Sequence, residues 1–76
     1  MLKIAQPEVG DVMETEYMHG GYRLKIAWHY GTDVAQVSMY DLSERLPLRW
    51  SSTMTKARAN GVKMLFENIG YFDLMM

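Results

Sequence analysis

The residues from Tyr17 to Val37, YMHGGYRLKIAWHYGTDVAQV, decide the fold of this chain. Apolar and polar side chains alternate from Tyr22 to Tyr30, and this period of two predicts a half-buried β-strand. Gly20-Gly21 precedes the strand and Gly31-Thr32 follows it, and both pairs are typical of tight hairpin turns that need a positive φ. We therefore predict three antiparallel strands, at Val12–Met18, Tyr22–Tyr30 and Asp33–Asp41.

The two turns predict the same buried face, although each was located from its glycines alone. Pairing across the first turn sets Tyr17 opposite Leu24 and Glu16 opposite Lys25, so apolar groups meet and an acid faces a base. Pairing across the second turn keeps apolar side chains on the face that contains Leu24. A slip of one residue would move every side chain to the other face, so the pattern specifies the register strongly.

A helix is predicted after the sheet. Pro47 interrupts regular structure in LSERLPLRW, residues 42–50, and SSTMTKARANGVKMLFENIG, residues 51–70, follows with serines as N-cap candidates and Gly70 as a C-terminal cap. Gly61 would allow a close approach to the sheet, whereas a break at Asn60-Gly61 into two short helices is the alternative. The apolar face predicted from the helical period consists of Met54, Ala57, Gly61, Val62, Leu65 and Ile69.

The predicted architecture is an α+β fold of order β-β-β-α, a three-stranded antiparallel meander with one C-terminal helix packed on one face. A single domain covers residues 1–76, and residues 1–5, MLKIA, either add a short edge strand or stay loose. Residues 71–76, YFDLMM, form an apolar tail. The tail either folds back over the thin core or offers a docking strand to another chain.

Composition limits the class of function. Eight lysines and arginines against nine acids give a net charge of −1, too neutral for the basic footprint of a typical nucleic-acid binder. The chain has no cysteine, which excludes disulfides, a thiol nucleophile and a thiolate metal site. No apolar run is long enough for a signal peptide or a membrane helix, so we expect a soluble, cytoplasmic protein without membrane association.

The candidate catalytic residues are His19 and His29, and their positions do not favour catalysis. They fall at opposite ends of the first hairpin, which is too far apart to share a metal ion. Ser38 lies too far along the third strand to act as a nucleophile beside His29. We expect both histidines to be exposed near strand ends, and we expect no enzymatic activity, no metal and no cofactor.

The sheet face away from the helix remains for a partner. Its candidate binding residues are Glu14, Glu16, Arg23, Lys25, His29 and Tyr40. We expect a ladder of solvated ion pairs on this face and a cation–π contact between Arg23 and Tyr40. Charge mixed with exposed apolar groups is typical of a protein interface, and an ordinary solvated sheet face is the alternative.

Four further candidates lie outside that face. Arg58 falls within the predicted apolar arc, where it would extend past the core edge, bond loop carbonyls or pair with Asp41 or Glu44. Together with Arg49 it would form a basic spot at the helix start that suits a phosphate. Phe72 and Leu74 are the tail candidates for docking.

Two functions fit these observations. The first is a non-enzymatic protein-binding module that inhibits a partner by covering its surface. Short, cysteine-free, single-domain chains resemble the accessory proteins of phages and mobile elements, including anti-CRISPR inhibitors. That resemblance implies a host defence or nucleic-acid-processing complex as the partner. A homodimer through the open face or the tail is the other protein–protein arrangement we consider.

The second function is DNA binding through the open sheet. A three-stranded sheet backed by one helix resembles plant ethylene-response-type DNA-binding domains and the arm-binding domains of phage integrases. The resemblance implies that Arg23, Lys25, His29 and Tyr40 would read the major groove. Acids on the same face cancel the two positive charges, and phosphate contacts dominate such affinities, so the first function is favoured.

Overall fold

The sheet has four strands and one helix lies across it. The computed structural model describes residues 8–74. In order, the elements are β1 (Val12–His19), β2 (Tyr22–His29), β3 (Val34–Asp41), β4 (Leu48–Thr55) and α1 (Lys56–Ile69). The strands form one antiparallel sheet in the order β1-β2-β3-β4. The predicted α+β class, meander and C-terminal helix are confirmed, with a fourth strand added, and the predicted edge strand at residues 1–5 lies outside the described residues.

The two hairpin registers agree with the prediction. Tyr17 pairs with Leu24 across the first turn, and Arg23 pairs with Tyr40 between β2 and β3. The glycines of both turns have φ between 57° and 87°, a region that residues with a Cβ rarely adopt. Glycine therefore locates the turns, and the alternation of side chains then sets the register.

Residues 48–55 form β4, where we predicted a loop and the start of the helix. Pro47 stands before this strand, and its carbonyl accepts a hydrogen bond of 2.7 Å from the backbone N–H of Asp41. A proline at this position takes no hydrogen-bond donor away from the ladder. The serines predicted as helix caps instead pair with β3, in a strand whose threonines are favoured by their branched Cβ.

A β-bulge interrupts the pairing of β3 with β4 near its start. Met39 pairs with Trp50 and Tyr40 pairs with Leu48, so Arg49 is the extra residue on β4. A bulge of this kind bends the strand and redirects the side chain of the extra residue. From Trp50 onward the pairing is regular as far as the end of the strand.

The core lies between the sheet and α1. Its buried residues are Leu24, Ile26, Ala35, Val37 and Met39 of the sheet and Ala59, Val62 and Phe66 of the helix. Of the predicted helix face, Val62 alone is buried, whereas Leu65 and Ile69 are 43% and 59% exposed. The predicted face was wrong by one residue, a rotation of about 100°.

Both ends of α1 are capped. The hydroxyl of Thr55, rather than a serine as predicted, accepts a hydrogen bond of 3.2 Å from the backbone N–H of Arg58. Gly70 is the C-cap, as predicted, with φ 76° and an N–H bond of 2.7 Å to the Phe66 carbonyl. The helix is continuous through Gly61, which is exposed, so the predicted role of this glycine in close packing was wrong.

The chain after α1 folds back over the core. Tyr71, Phe72 and Leu74 pack against the buried cluster. The indole N–H of Trp50 donates a hydrogen bond of 2.9 Å to the Phe72 carbonyl, and the two rings lie 5.9 Å apart. The ring of Tyr71 lies 5.2 Å from that of Tyr22. The first of the two predicted arrangements is therefore the observed one: the tail folds back over the core as far as Leu74.

Candidate protein-binding surface

The sheet face opposite α1, the open face, carries alternate residues of all four strands. Its residues are Val12, Glu14, Glu16 and Met18 of β1, Arg23, Lys25, Ala27 and His29 of β2, Val34, Gln36, Ser38 and Tyr40 of β3, and Ser51, Thr53 and Thr55 of β4. Within residues 8–74, no helix or strand covers this face. All six candidate residues that we predicted on the sheet lie on it.

The four formal charges of the open face are paired with each other. Lys25 Nζ lies 3.2 Å from Glu14 Oε2, and Arg23 Nε lies 3.8 Å from Glu16 Oε2. The ion pairs run diagonally between β1 and β2, although Glu16 is directly opposite Lys25 in the register. The hydrogen bond to the Glu14 carboxylate and then its negative charge raise the pKa of Lys25. The expected ladder therefore exists, and it leaves the face without net formal charge.

Apart from Val34, the half of the open face that β3 and β4 form is polar and uncharged. The hydroxyl oxygens of Ser38 and Ser51 lie 3.0 Å apart, and the side-chain amide of Gln36 donates a hydrogen bond of 3.4 Å to Ser51 Oγ. Tyr40 lies beside Arg23 in the register, as predicted, while the Arg23 guanidinium is engaged with a carboxylate of β1. This half offers hydrogen-bonding groups to a partner without attracting phosphate.

Apolar groups lie at both ends of the open face. Val12 and Val34, on either side of His29, are 49% and 38% exposed. Met18 is exposed at the opposite end of β1. The face thus has apolar side chains at its ends and paired charges and hydroxyls at its centre, and protein interfaces contain both kinds of group.

The two histidines lie on opposite faces of the sheet. His19 is half-buried on the helix side, with its ring 6.0 Å from the ring of Phe66. His29 is half-buried on the open face, at the other end of β2, about 23 Å away along the strand. The prediction that both are exposed was wrong. Among the described residues, no group of three or more His, Asp or Glu side chains is placed to hold a metal ion.

Arg49 and Arg58 do not form the predicted basic spot. Arg49 Nη2 lies 3.0 Å from Glu44 Oε1 and 3.8 Å from Asp41 Oδ2. The two acids that we considered as ion-pair partners of Arg58 are therefore paired with Arg49. Arg58 is exposed on the first turn of α1, outside the core. Because residues 49–55 are an extended strand and not a helix, about 20 Å separates the two arginines.

Sequence reasoning missed two hollows beside the sheet. A shallow cleft of about 360 Å³ is lined by Met13, Trp28, Tyr30, Gly31 and Lys56. A groove of about 410 Å³, the β4 groove, is lined by Ser52, Thr53, Met54, Thr55, Arg58 and Leu74. The second brings together two predicted candidates, Arg58 and Leu74, through a strand that the sequence did not predict.

Comparison with known proteins gives no significant match to a protein-family model, a curated protein or a solved structure. In the part of the chain that the structure describes, no helix has the length and apolar character needed to cross a membrane. The function of the chain is therefore inferred from its own surfaces.

Proposed function

We propose that this chain is a non-enzymatic protein-binding module that inhibits a partner by covering part of its surface. The observation that carries the proposal is the open face, a four-stranded surface whose four charges neutralise one another in two ion pairs. Protein interfaces combine such paired polar groups with exposed apolar side chains. The accessory inhibitors of phages and mobile elements, anti-CRISPR proteins among them, are the class of protein proposed, with a cytoplasmic host complex as the partner.

The same charge arrangement argues against DNA binding through this face. Non-specific affinity for DNA comes from lysines and arginines that neutralise phosphates and release counterions. Here Arg23 and Lys25 are each engaged with a carboxylate, so a duplex on the open face would also meet Glu14 and Glu16. A protein partner, which can meet both signs of charge, fits this face better than a polyanion does.

The positions of the polar side chains support a role without catalysis. His19 packs against the helix and His29 lies on the opposite face, so neither can assist the other in a proton transfer. The hydroxyls of Ser38 and Ser51 bond to each other, and Ser51 also accepts a hydrogen bond from Gln36, with no histidine among these partners. We therefore propose binding, rather than turnover, as the activity of the chain.

The experiment is affinity capture with the intact, tagged chain from host lysate, with and without nuclease, followed by mass spectrometry. The test variant is Lys25→Glu, and the matched control is Arg45→Glu, which makes the same charge change in the exposed β3–β4 loop. Both should fold, because an exposed ion pair contributes only about 0–1 kcal/mol, and the repulsion from Glu16, which lies opposite residue 25, is about 1 kcal/mol or less. We expect a defined protein complex that survives nuclease, is retained by Arg45→Glu and is weakened by Lys25→Glu.

Other outcomes would contradict parts of the proposal. Retention that disappears with nuclease and falls steeply with salt would support the DNA alternative. Equal capture by both variants would exclude the centre of the open face as the docking surface. Capture of the chain by itself alone would support the homodimer.

A further inference from the structure

β4 is an edge strand that can accept another strand. It is the last strand of the sheet, and within residues 8–74 no strand pairs with its outer side. The outward N–H and C=O groups of such an edge can pair with an extended segment of another protein. The bulge at Arg49 precedes Trp50, so the six residues from Trp50 to Thr55 offer a regular edge about 20 Å long.

The two edges of the sheet differ in their protection. β1 carries Glu14 and Glu16, and charged side chains are a common means of blocking unwanted pairing at an edge. The corresponding stretch of β4, WSSTMT at residues 50–55, has no charged residue, no proline and no glycine. Its side chains on the open face, Ser51, Thr53 and Thr55, are small, so they leave the backbone accessible.

The β4 groove lies directly beside this edge. Met54 and Leu74 are half-buried and supply apolar surface, and Arg58 is exposed where α1 begins. The first turn of α1 contains no acid, so the positive end of the helix adds to the charges of Lys56 and Arg58. A segment that follows β4 into this groove would therefore be favoured by a carboxylate near Arg58.

A second copy of this chain is a poorer occupant of the edge. Residues 45–55 contain no acid. Two β4 strands paired antiparallel about a two-fold axis between Ser52 and Thr53 would therefore place no carboxylate beside Arg58 of either copy.

We propose that the partner supplies an extended, acidic segment, which adds a fifth strand along Trp50–Thr55. The segment places an apolar side chain between Met54 and Leu74 and a carboxylate near Arg58. This inference rests on the proposed function and deepens it, because it names the chemical character of the bound segment and the edge that holds it.

The test uses linear peptides displayed on phage and selected on the immobilised, intact chain. The selected peptides are then synthesised and titrated against variants by fluorescence polarisation. We expect them to be rich in Asp or Glu. We expect Arg58→Glu to weaken their binding about tenfold or more, since a charge-assisted hydrogen bond is lost. Arg45→Glu, which makes the same charge change far along the chain, should leave binding unchanged.

Two proline variants test the backbone pairing itself. The backbone N–H groups of neighbouring residues in a strand point to opposite sides of it. Of Ser52→Pro and Thr53→Pro, one therefore removes an N–H group that points to the free edge, and the other removes an N–H group that bonds to β3. The variant that retains the circular dichroism of the parent should lose peptide binding. If both unfold, protection of the β4 amides from hydrogen exchange by the bound peptide provides the second measurement.

Three results would overturn the inference. They are the absence of peptide enrichment above the empty support, binding that Arg58→Glu does not affect, and β4 amides that the peptide leaves unprotected. A dimer detected by sedimentation, and lost with either proline variant, would assign the edge to a second copy. Because the capture experiment does not use these peptides, failure of the edge and failure of the proposed function are distinguishable.

Discussion

Alanine substitutions at Gly61 and Gly70 add the same methyl group to α1 and its cap, but should change stability in opposite directions. Gly61 is exposed within the helix, and apart from the adjoining residues and the backbone of the helix itself, no atom lies within 4 Å of the place where its Cβ would be. Alanine is favoured over glycine in a helix interior by about 0.8–1 kcal/mol. We therefore expect Gly61→Ala to raise the free energy of unfolding by about 1 kcal/mol.

Gly70→Ala should lower the free energy of unfolding by about 2–4 kcal/mol. With φ 76° and ψ −138°, Gly70 has a backbone conformation that is strained for any residue with a Cβ. The added Cβ would also lie 2.9 Å from His19 Cδ2, so the half-buried imidazole would have to move. A domain of this size has about 4–11 kcal/mol of stability, and the variant should still fold with a reduced margin.

Thermal and urea unfolding, followed by circular dichroism and tryptophan fluorescence, would measure both changes. One kcal/mol corresponds to about 4–8 °C in Tm for a domain of this length, so the two variants should differ by more than ~10 °C. Destabilisation by Gly61→Ala would mean that the helix approaches another element there or is interrupted. A neutral Gly70→Ala would refute the described cap and its contact with His19.

Three further predictions concern the tail, the β3–β4 turn and the core. Trp50→Phe removes the hydrogen bond to the Phe72 carbonyl and should cost about 1 kcal/mol in urea unfolding, with faster hydrogen exchange after residue 70. Hydrogen bonds from the Ser43 hydroxyl and N–H lower the pKa of Asp41. The stabilisation from this carboxylate is therefore present above its unfolded pKa and lost as pH falls through its folded value, so Asp41→Asn should reduce the loss of stability below about pH 4. Phe66→Ala truncates the largest fully buried side chain and should cost about 3–5 kcal/mol, which lowers the urea and thermal midpoints well below those of the parent.

For each of these three substitutions, one result would contradict the prediction. Unchanged exchange in the tail of Trp50→Phe would show that ring packing alone holds the tail. An acid limb of the stability curve that is identical in Asp41→Asn would assign the acid sensitivity to other carboxylates. A cooperative transition near the parent midpoint for Phe66→Ala would place this ring outside the core.

The hairpins could be predicted because their signals are local. A tight turn requires glycine at a positive φ, and Gly20, Gly21 and Gly31 supply it within a few residues of the strands they join. The alternation of β2 then specifies which face is buried, since the apolar Leu24 and Ile26 alternate with the charged Arg23 and Lys25. The ion partners on the open face could not be assigned, because side-chain length selects diagonal pairs over direct ones.

The orientation of α1 depends on packing that the sequence pattern does not specify. Leu65 and Phe66 are adjacent and both apolar, so two faces of the helix, one residue apart, are almost equally hydrophobic. Packing the large Phe66 ring against His19 and the sheet selects one of these faces and leaves Leu65 exposed. The periodicity correctly predicted a helix. Which of its two apolar faces is buried depends on how well each fills the space above the sheet, and the sequence pattern does not specify that space.

The same features explain why β4 was hard to predict and why it suits a partner. Its inward side chains include Ser52 between Trp50 and Met54, so the alternation of apolar and polar residues is weak, and its hydroxyl side chains also fit a helix cap. Pairing with β3 makes it a strand, as tertiary contacts often override local preference. A strand at the edge of a sheet that carries no charged side chain also has nothing to prevent its backbone from pairing with another strand. Local sequence rules are most often broken where function requires it, and here they are broken along the edge that we propose as the docking strand.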